Sequence, residues 1–100
     1  MQQPVARFGD TIETGHACDT VSTLIGGSPN VFVNGRAVIR RTDQVAPHTI
    51  LSGIVCVPHA AVVNEGSTTV FVNGLPIARV FDSADAGFIT GGSLDVFAGD

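Results

Sequence analysis

The chain of 100 residues contains no tryptophan, no tyrosine and no lysine, and charged side chains make up only 14% of it. All five cations are arginines, and nine aspartates and glutamates leave a net charge of −4. Because binding to phosphate groups needs a basic face, this balance argues against a nucleic-acid partner.

Long apolar runs are also missing. No stretch approaches the ~20 residues of a transmembrane helix, and the N-terminus lacks the basic-then-apolar pattern of a signal peptide. We therefore expect one domain over residues 1–100 that is made in the cytoplasm, and any export would need machinery that does not read signal peptides. Only two cysteines are present, and without a secretion signal we expect them to be reduced thiols.

The residues that are abundant favour β-structure. Hydrophobic side chains reach 44%, and twelve glycines and five prolines interrupt short runs rich in valine, isoleucine and phenylalanine. Such punctuation is typical of short strands joined by tight turns. The composition therefore predicts an all-β fold, and no segment reads as a capped helix of ordinary length.

A nine-residue pattern occurs twice in full. Residues 27–35 (GSPNVFVNG) return as residues 66–74 (GSTTVFVNG), and a truncated copy at residues 92–99 (GSLDVFAG) closes the chain. The third copy lacks a second half, but residues 4–10 (PVARFGD) match the continuation of the other two. A repeat split between the chain ends indicates an architecture that closes on itself.

Each copy reads as a β-hairpin. Asn34-Gly35 and Asn73-Gly74 are the strongest short signals for a hairpin turn, because both central residues need positive φ. The third hairpin would form from the two termini, with residues 96–98 pairing with residues 5–7. Three quasi-equivalent hairpins in one chain predict pseudo-threefold symmetry.

Every copy also carries an arginine and an aspartate three residues apart. An exposed pair of this kind would contribute well under ~1 kcal/mol, but repetition at matching positions favours a structural role over catalysis. We expect each aspartate to accept hydrogen bonds from turn amides and each arginine to brace the neighbouring hairpin. The pairs are Arg7/Asp10, Arg40/Asp43 and Arg79/Asp82.

All three histidines and both cysteines lie between the hairpins. Cys56 precedes His59 by three residues, His48 lies eight residues before Cys56, and His16 comes from the preceding connector. Three imidazoles and one thiolate match the four ligands of a structural zinc site. Such a metal would also stabilise long connectors that a small core holds poorly.

Three alternatives stay open at this point. Cys18, two residues from His16, could replace one histidine in a two-cysteine, two-histidine site. A Cys56–histidine pair could instead supply a thiolate nucleophile, or the metal could be catalytic, which would make the chain a zinc- or thiol-dependent hydrolase. A free-standing metal-binding adaptor is a further reading.

The repeats resemble those of the PAAR-repeat proteins. Residues 4–7 (PVAR) and 76–79 (PIAR) are similar to the Pro-Ala-Ala-Arg motif of that family, and residues 28–35 and 92–99 are typical of it. The middle copy departs from the motif, because residues 37–40 (AVIR) lack the proline.

The resemblance implies a small conical β-prism that caps the trimeric β-helical spike of a contractile injection machine. The spike would be a VgrG-like protein of a type VI secretion system or a phage central spike, with one copy of the cap per trimer. The family's zinc, held by three histidines and one cysteine, maps onto His16, His48, Cys56 and His59. The resemblance also implies a non-enzymatic tip, a transient contact with the target membrane, delivery outside the cell and a separate effector cargo, since no effector extension is expected.

Overall fold

The repeated segments fold into the expected hairpins in the computed structural model, which describes residues 2–100. That part of the chain contains strands, turns and loops but no helix, and therefore no helix that is long and apolar enough to span a membrane. The twelve strands in chain order are β1 Gln3–Pro4, β2 Thr11–Glu13, β3 Val21–Thr23, β4 Phe32–Val33, β5 Arg36–Ala37, β6 Gln44–Ser52, β7 Val55–Val62, β8 Phe71–Val72, β9 Leu75–Pro76, β10 Ser83–Ala84, β11 Gly87–Ile89 and β12 Phe97–Ala98. The prediction of an all-β fold is confirmed.

Three basal hairpins, β4–β5, β8–β9 and β1–β12, correspond to the three copies of the repeat. In the first two, the turn asparagine and glycine have positive φ, 55° and 76° at Asn34-Gly35 and 55° and 79° at Asn73-Gly74. These values belong to the turn type that matches the twist of the flanking strands.

The third basal hairpin is closed by the two chain ends, as predicted, but its register differs from the prediction. Phe97 pairs with Pro4 and Ala98 pairs with Gln3, so the N-terminal strand lies earlier than residues 5–7. This register matches that of the first hairpin, in which Phe32 pairs with Ala37 at the positions equivalent to Phe97 and Pro4.

A closed ring of backbone hydrogen bonds joins the three copies. The amide of Ala6 donates to the carbonyl of Ala78 (3.0 Å), Ile39 donates to Ala6 (3.0 Å), and Ala78 donates to Ile39 (2.9 Å). All three side chains are fully buried. Equivalent residues bonded cyclically are the signature of the predicted pseudo-threefold symmetry.

The arginine–aspartate pairs link each copy to the next. The Asp10 carboxylate accepts hydrogen bonds from the backbone amide and the Nε of Arg7, while Arg7 Nη1 donates to Asn34 Oδ1 of the neighbouring hairpin (3.0 Å). Arg40 reaches Asn73 in the same way, and Arg79 reaches the carbonyl of Gly99. The expected bracing role is confirmed, and these aspartates are buried rather than exposed.

The connectors are more regular than the sequence suggested. Residues 44–65, one of the long connectors between the copies, contain β6 and β7, which form the longest hairpin of the described chain, with Gly53 (φ 64°) in its turn. We call β6–β7 the apical hairpin. Strands β10, β11, β2 and β3 form a four-stranded antiparallel sheet, and the apical hairpin joins it through the Leu24–Val45 bridge.

Two apolar clusters support this arrangement. The smaller one lies among the basal hairpins and contains equivalent residues of the three copies, Val5, Val38 and Ile77. We call the ring of Ala6, Ile39 and Ala78 the axial ring and the four-stranded sheet the upper sheet. The larger cluster extends from the axial ring to the upper sheet and includes Ile12, Leu24, Ile39, Val45, Val63, Val80, Ala84 and Ile89. The described residues extend over 41 × 26 × 23 Å, so the molecule is elongated.

Candidate metal centre

Three separate segments bring the histidines together. His48 on β6 and His59 on β7 are directly paired across the apical hairpin, and His16 lies in the loop that follows β2. Their ring centroids are 5.1 to 5.3 Å apart. The three histidines predicted to share one metal ion therefore do lie side by side.

The fourth group of this cluster is Asp85, which the sequence analysis did not select. Its carboxylate lies 2.7 Å from Nε2 of His16, 2.7 Å from Nε2 of His48 and 3.1 Å from Nε2 of His59. One ligand atom from each of the four residues lies within 4.8 Å of the others. Burial alone would raise the pKa of Asp85, but hydrogen bonds from His59, His16 and His48 outweigh it and lower that pKa below 3.8.

Backbone conformation explains why Asp85 can reach the histidines. It lies in the turn between β10 and β11 with a φ of 56°, a left-handed conformation that aspartate tolerates better than most residues. The signal available in the sequence was an aspartate in a short connector, which is too common to single out a ligand.

The hydrogen bonds around His48 fit a bound cation. Its Nδ1 lies 2.8 Å from the carbonyl oxygen of Ala46, so Nδ1 carries a proton and a neutral ring presents an unshared electron pair at Nε2. That pair faces a carboxylate oxygen at 2.7 Å, which is repulsive unless Nε2 is protonated or a cation lies between them. A backbone carbonyl on the far ring nitrogen is also the usual way in which a metal-binding histidine is oriented.

Cys56 does not join this cluster in the structure. It is bonded to Cys18, with 5.9 Å between the two Cα atoms, which corrects the expectation of reduced thiols. Residues three apart on a strand point to opposite faces, so Cys56 faces away from His59 on β7. Pairing of Cys18 with Ile50, next to the Leu51 that pairs with Cys56, brings the two cysteines together.

The disulfide has a consequence for the proposed ligands and for catalysis. A sulfur engaged in a disulfide is neither a thiolate ligand nor a thiolate nucleophile. In this oxidised form, the cluster offers three imidazoles and one carboxylate, which are donors that zinc accepts. The inclusion of Cys56 among the ligands stays a prediction for the reduced chain.

The fold and the cluster together define a small all-β protein with pseudo-threefold basal hairpins and a candidate metal centre above them. The profile of the PAAR motif matches residues 14–87. The chain belongs to the PAAR-motif family, as the repeats indicated.

Curated relatives agree with this membership. In an alignment of 77 positions that covers 74% of this chain, it is 39% identical to the double-stranded DNA deaminase toxin A of Burkholderia cenocepacia. In alignments of 85 positions that cover 80% of this chain, it is 38% identical to the NAD(P)(+) glycohydrolase toxin Tse6 and to the (p)ppApp synthetase toxin Tas1, both of Pseudomonas aeruginosa. The match covers 5% of the first relative and 19% of each of the other two, so this chain corresponds to a small part of each toxin.

Proposed function

We propose that this chain caps the trimeric β-helical spike of a contractile injection machine and forms its piercing end. Membership of the PAAR-motif family and similarity to proteins named as toxins support a role at the spike tip of a type VI system. The role needs rigidity rather than catalysis, because the force would come from contraction elsewhere in the machine.

The observation that carries the proposal is the set of exposed phenylalanines on the basal hairpins. Phe32, Phe71 and Phe97 occupy the same position in the three copies and are 58%, 55% and 48% exposed. Three equivalent apolar groups around a pseudo-threefold axis suit a partner with true threefold symmetry. Each basal hairpin has only two strands. Because the carbonyls of Pro4, Ala37 and Pro76 already accept hydrogen bonds from neighbouring copies, the other strand of each hairpin is the edge with which a strand of the partner would pair.

The spike interaction is tested with the variant Phe32→Ser/Phe71→Ser/Phe97→Ser. We expect native mass spectrometry to show one copy of the unmodified chain per spike trimer and loss of that complex in the triple variant. Phe88→Ser is the matched control, because Phe88 is also exposed but lies on β11 in the upper sheet. Equal binding by the triple variant and the control would contradict the proposed docking face.

We also propose that the cluster holds one structural zinc ion, which would tie the loop of His16, the apical hairpin and the β10–β11 turn together. Zinc would supply folding free energy there and no reaction step. The donor set supports zinc, although ligand type expresses a preference among metals rather than a choice of one.

Three variants and one control separate the two candidates for the fourth ligand. If Asp85 is the ligand, Asp85→Asn should lower zinc affinity at least tenfold while Cys56→Ser retains the metal. If Cys56 is the ligand, the order reverses, and Cys18→Ser, which leaves the Cys56 thiol free, should bind zinc normally. Elemental analysis and competition with a chromogenic chelator measure both quantities, and Asp19→Asn controls for loss of an exposed carboxylate nearby.

Toxin cargo is part of the same proposal. The curated relatives are named as toxins, so we infer that this chain travels outside the cell with an effector and acts as its carrier. Co-purification of the unmodified chain and the spike with a toxin from the same source would support a carrier role.

A further inference from the structure

The apical hairpin ends in an apolar, uncharged tip. Residues 44–63 contain no aspartate, glutamate, lysine or arginine. Ile54 in the turn is 96% exposed, and Leu51 and Val55 on either side of it are 53% and 57% exposed. Large side chains of this kind rarely lie together in solvent unless they contact a partner.

The position of the tip is set by the length of the strands. Strand β6 begins at Gln44, immediately after Asp43, which is bonded to the arginine of the first basal hairpin. Nine residues of strand extend about 30 Å, which is most of the 41 Å length of the molecule. The tip therefore lies far from the basal hairpins that we assign to the spike.

A polar level lies below the tip. The exposed carboxylate of Asp19 accepts hydrogen bonds from the amide and the hydroxyl of Thr49, at 2.7 and 2.9 Å. Thr49 pairs with Pro58, and three further residue pairs lie between this level and the turn. At about 3.3 Å per residue, the apolar part above Asp19 is roughly 10 Å long.

We propose that this apical tip, residues 50–57, inserts into the interfacial layer of a lipid bilayer. The inference rests on the proposed function, since it names the surface that the piercing end meets first. The apolar side chains lie on a convex turn rather than in a groove, so a fluid medium can surround them without a matching cavity. The length of the apolar part above Asp19 agrees with the ~5–10 Å to which interfacial segments penetrate.

The charge of the tip predicts which lipid headgroups it contacts, and the unpaired polar groups of its backbone limit how deeply it inserts. The tip has no cation that would select anionic headgroups, and the protein as a whole carries a net charge of −4. Backbone groups inside the hairpin are paired across it, and residues 17–19 pair with the outer edge of β6. The outer edge of β7 beside the turn has no backbone partner among the described residues, and its polar groups would be costly in hydrocarbon. We therefore expect shallow insertion into neutral phosphatidylcholine that does not depend on salt.

The absence of tryptophan from the chain makes a clean test available. Ile54→Trp places a sole tryptophan at the tip, and Leu94→Trp places one on the third basal repeat, where Leu94 is 95% exposed. With phosphatidylcholine vesicles, we expect a blue shift of Ile54→Trp emission and quenching by brominated acyl chains. Leu94→Trp should show neither effect.

A second measurement does not need an introduced tryptophan. Co-sedimentation of the protein with the same vesicles should fall about tenfold or more in Ile54→Ser, because the substitution removes the most exposed apolar side chain of the tip and with it a large share of the transfer free energy. Unfolding of the isolated variant should match that of the unmodified chain, since the side chain at position 54 has few contacts within the protein.

Three results would overturn the inference. Unchanged emission of Ile54→Trp with vesicles would indicate that the tip contacts a protein rather than a lipid surface. Equal shifts for both tryptophan variants would indicate non-specific adsorption, and binding only to anionic vesicles would indicate an electrostatic attraction instead. Spike binding, measured separately by native mass spectrometry, distinguishes failure of the lipid contact from failure of the proposed cap.

Discussion

Ile39 is the one large side chain in the axial ring of the three copies. Its equivalents are Ala6 and Ala78, and all three are fully buried and cyclically hydrogen-bonded. The substitution Ile39→Ala would make the ring uniform in sequence but would empty the space that the isoleucine fills. We predict a large loss of stability from this change.

The magnitude follows from burial. Truncation removes three buried carbons, worth about 2.4 kcal/mol at ~0.8 kcal/mol for each, and the unfilled cavity adds a further cost that brings such substitutions to about 2–5 kcal/mol. A residue at 0% exposure within the main cluster belongs in the upper half of this range, about 4 kcal/mol. For a domain of this size, that loss corresponds to a fall in Tm of roughly 15–30 °C.

Urea denaturation followed by far-ultraviolet circular dichroism measures the loss directly. Ile39→Val should cost only about 0.5–1.5 kcal/mol, and Ile54→Ala, the same truncation at an exposed site, should change stability by less than about 0.5 kcal/mol. A cost below about 1 kcal/mol for Ile39→Ala would contradict the prediction, because it would show that the axial ring does not depend on this side chain.

Two further predictions concern the disulfide and the acid range. The disulfide closes a loop across a sequence separation of 38, so replacing Cys18 and Cys56 by serine should lower the free energy of unfolding by about 2–4 kcal/mol. The measurement is made in the presence of a chelator, which removes any contribution from a metal. An unchanged free energy of unfolding would show that the disulfide does not constrain the unfolded chain. Hydrogen bonds from Asn34 and Ser93 lower the pKa of Asp95 below 3.8, so its contribution to stability should be complete above pH 3.8 and be lost as pH falls through the folded-state pKa. Acid unfolding of Asp95→Asn should lack this component, and an unaltered acid profile would argue against it.

The basal hairpins could be predicted because their information is local. An asparagine followed by glycine specifies a turn with two positive φ values wherever it occurs between short apolar runs. Repetition of the same letters then implied equivalent positions, including the hairpin that the two termini close. The register of that third hairpin required the structure, since no turn connects β12 to β1 covalently.

The candidate metal centre was predicted only in part. Histidine is rare enough in this chain for three of them between the hairpins to suggest a common site, and the structure does bring them together. Asp85 is one acidic residue among nine, and nothing adjacent to it in sequence distinguishes it from the others. Its proximity to His16, 69 residues away, arises from the pairing of β11 with β2.

By itself, the sequence determined the all-β class, the pseudo-threefold repeat, the bracing arginines and the three histidines, because each depends on turn chemistry or on a pattern that recurs along the chain. The disulfide between Cys18 and Cys56, the carboxylate that faces the histidines and the exposed tip of the apical hairpin became visible only in the folded chain. Those features depend on which distant strands lie side by side and on the face of the sheet to which each side chain points. A one-residue change of register moves a strand's side chains to the other face, and spacing along the chain does not specify that register.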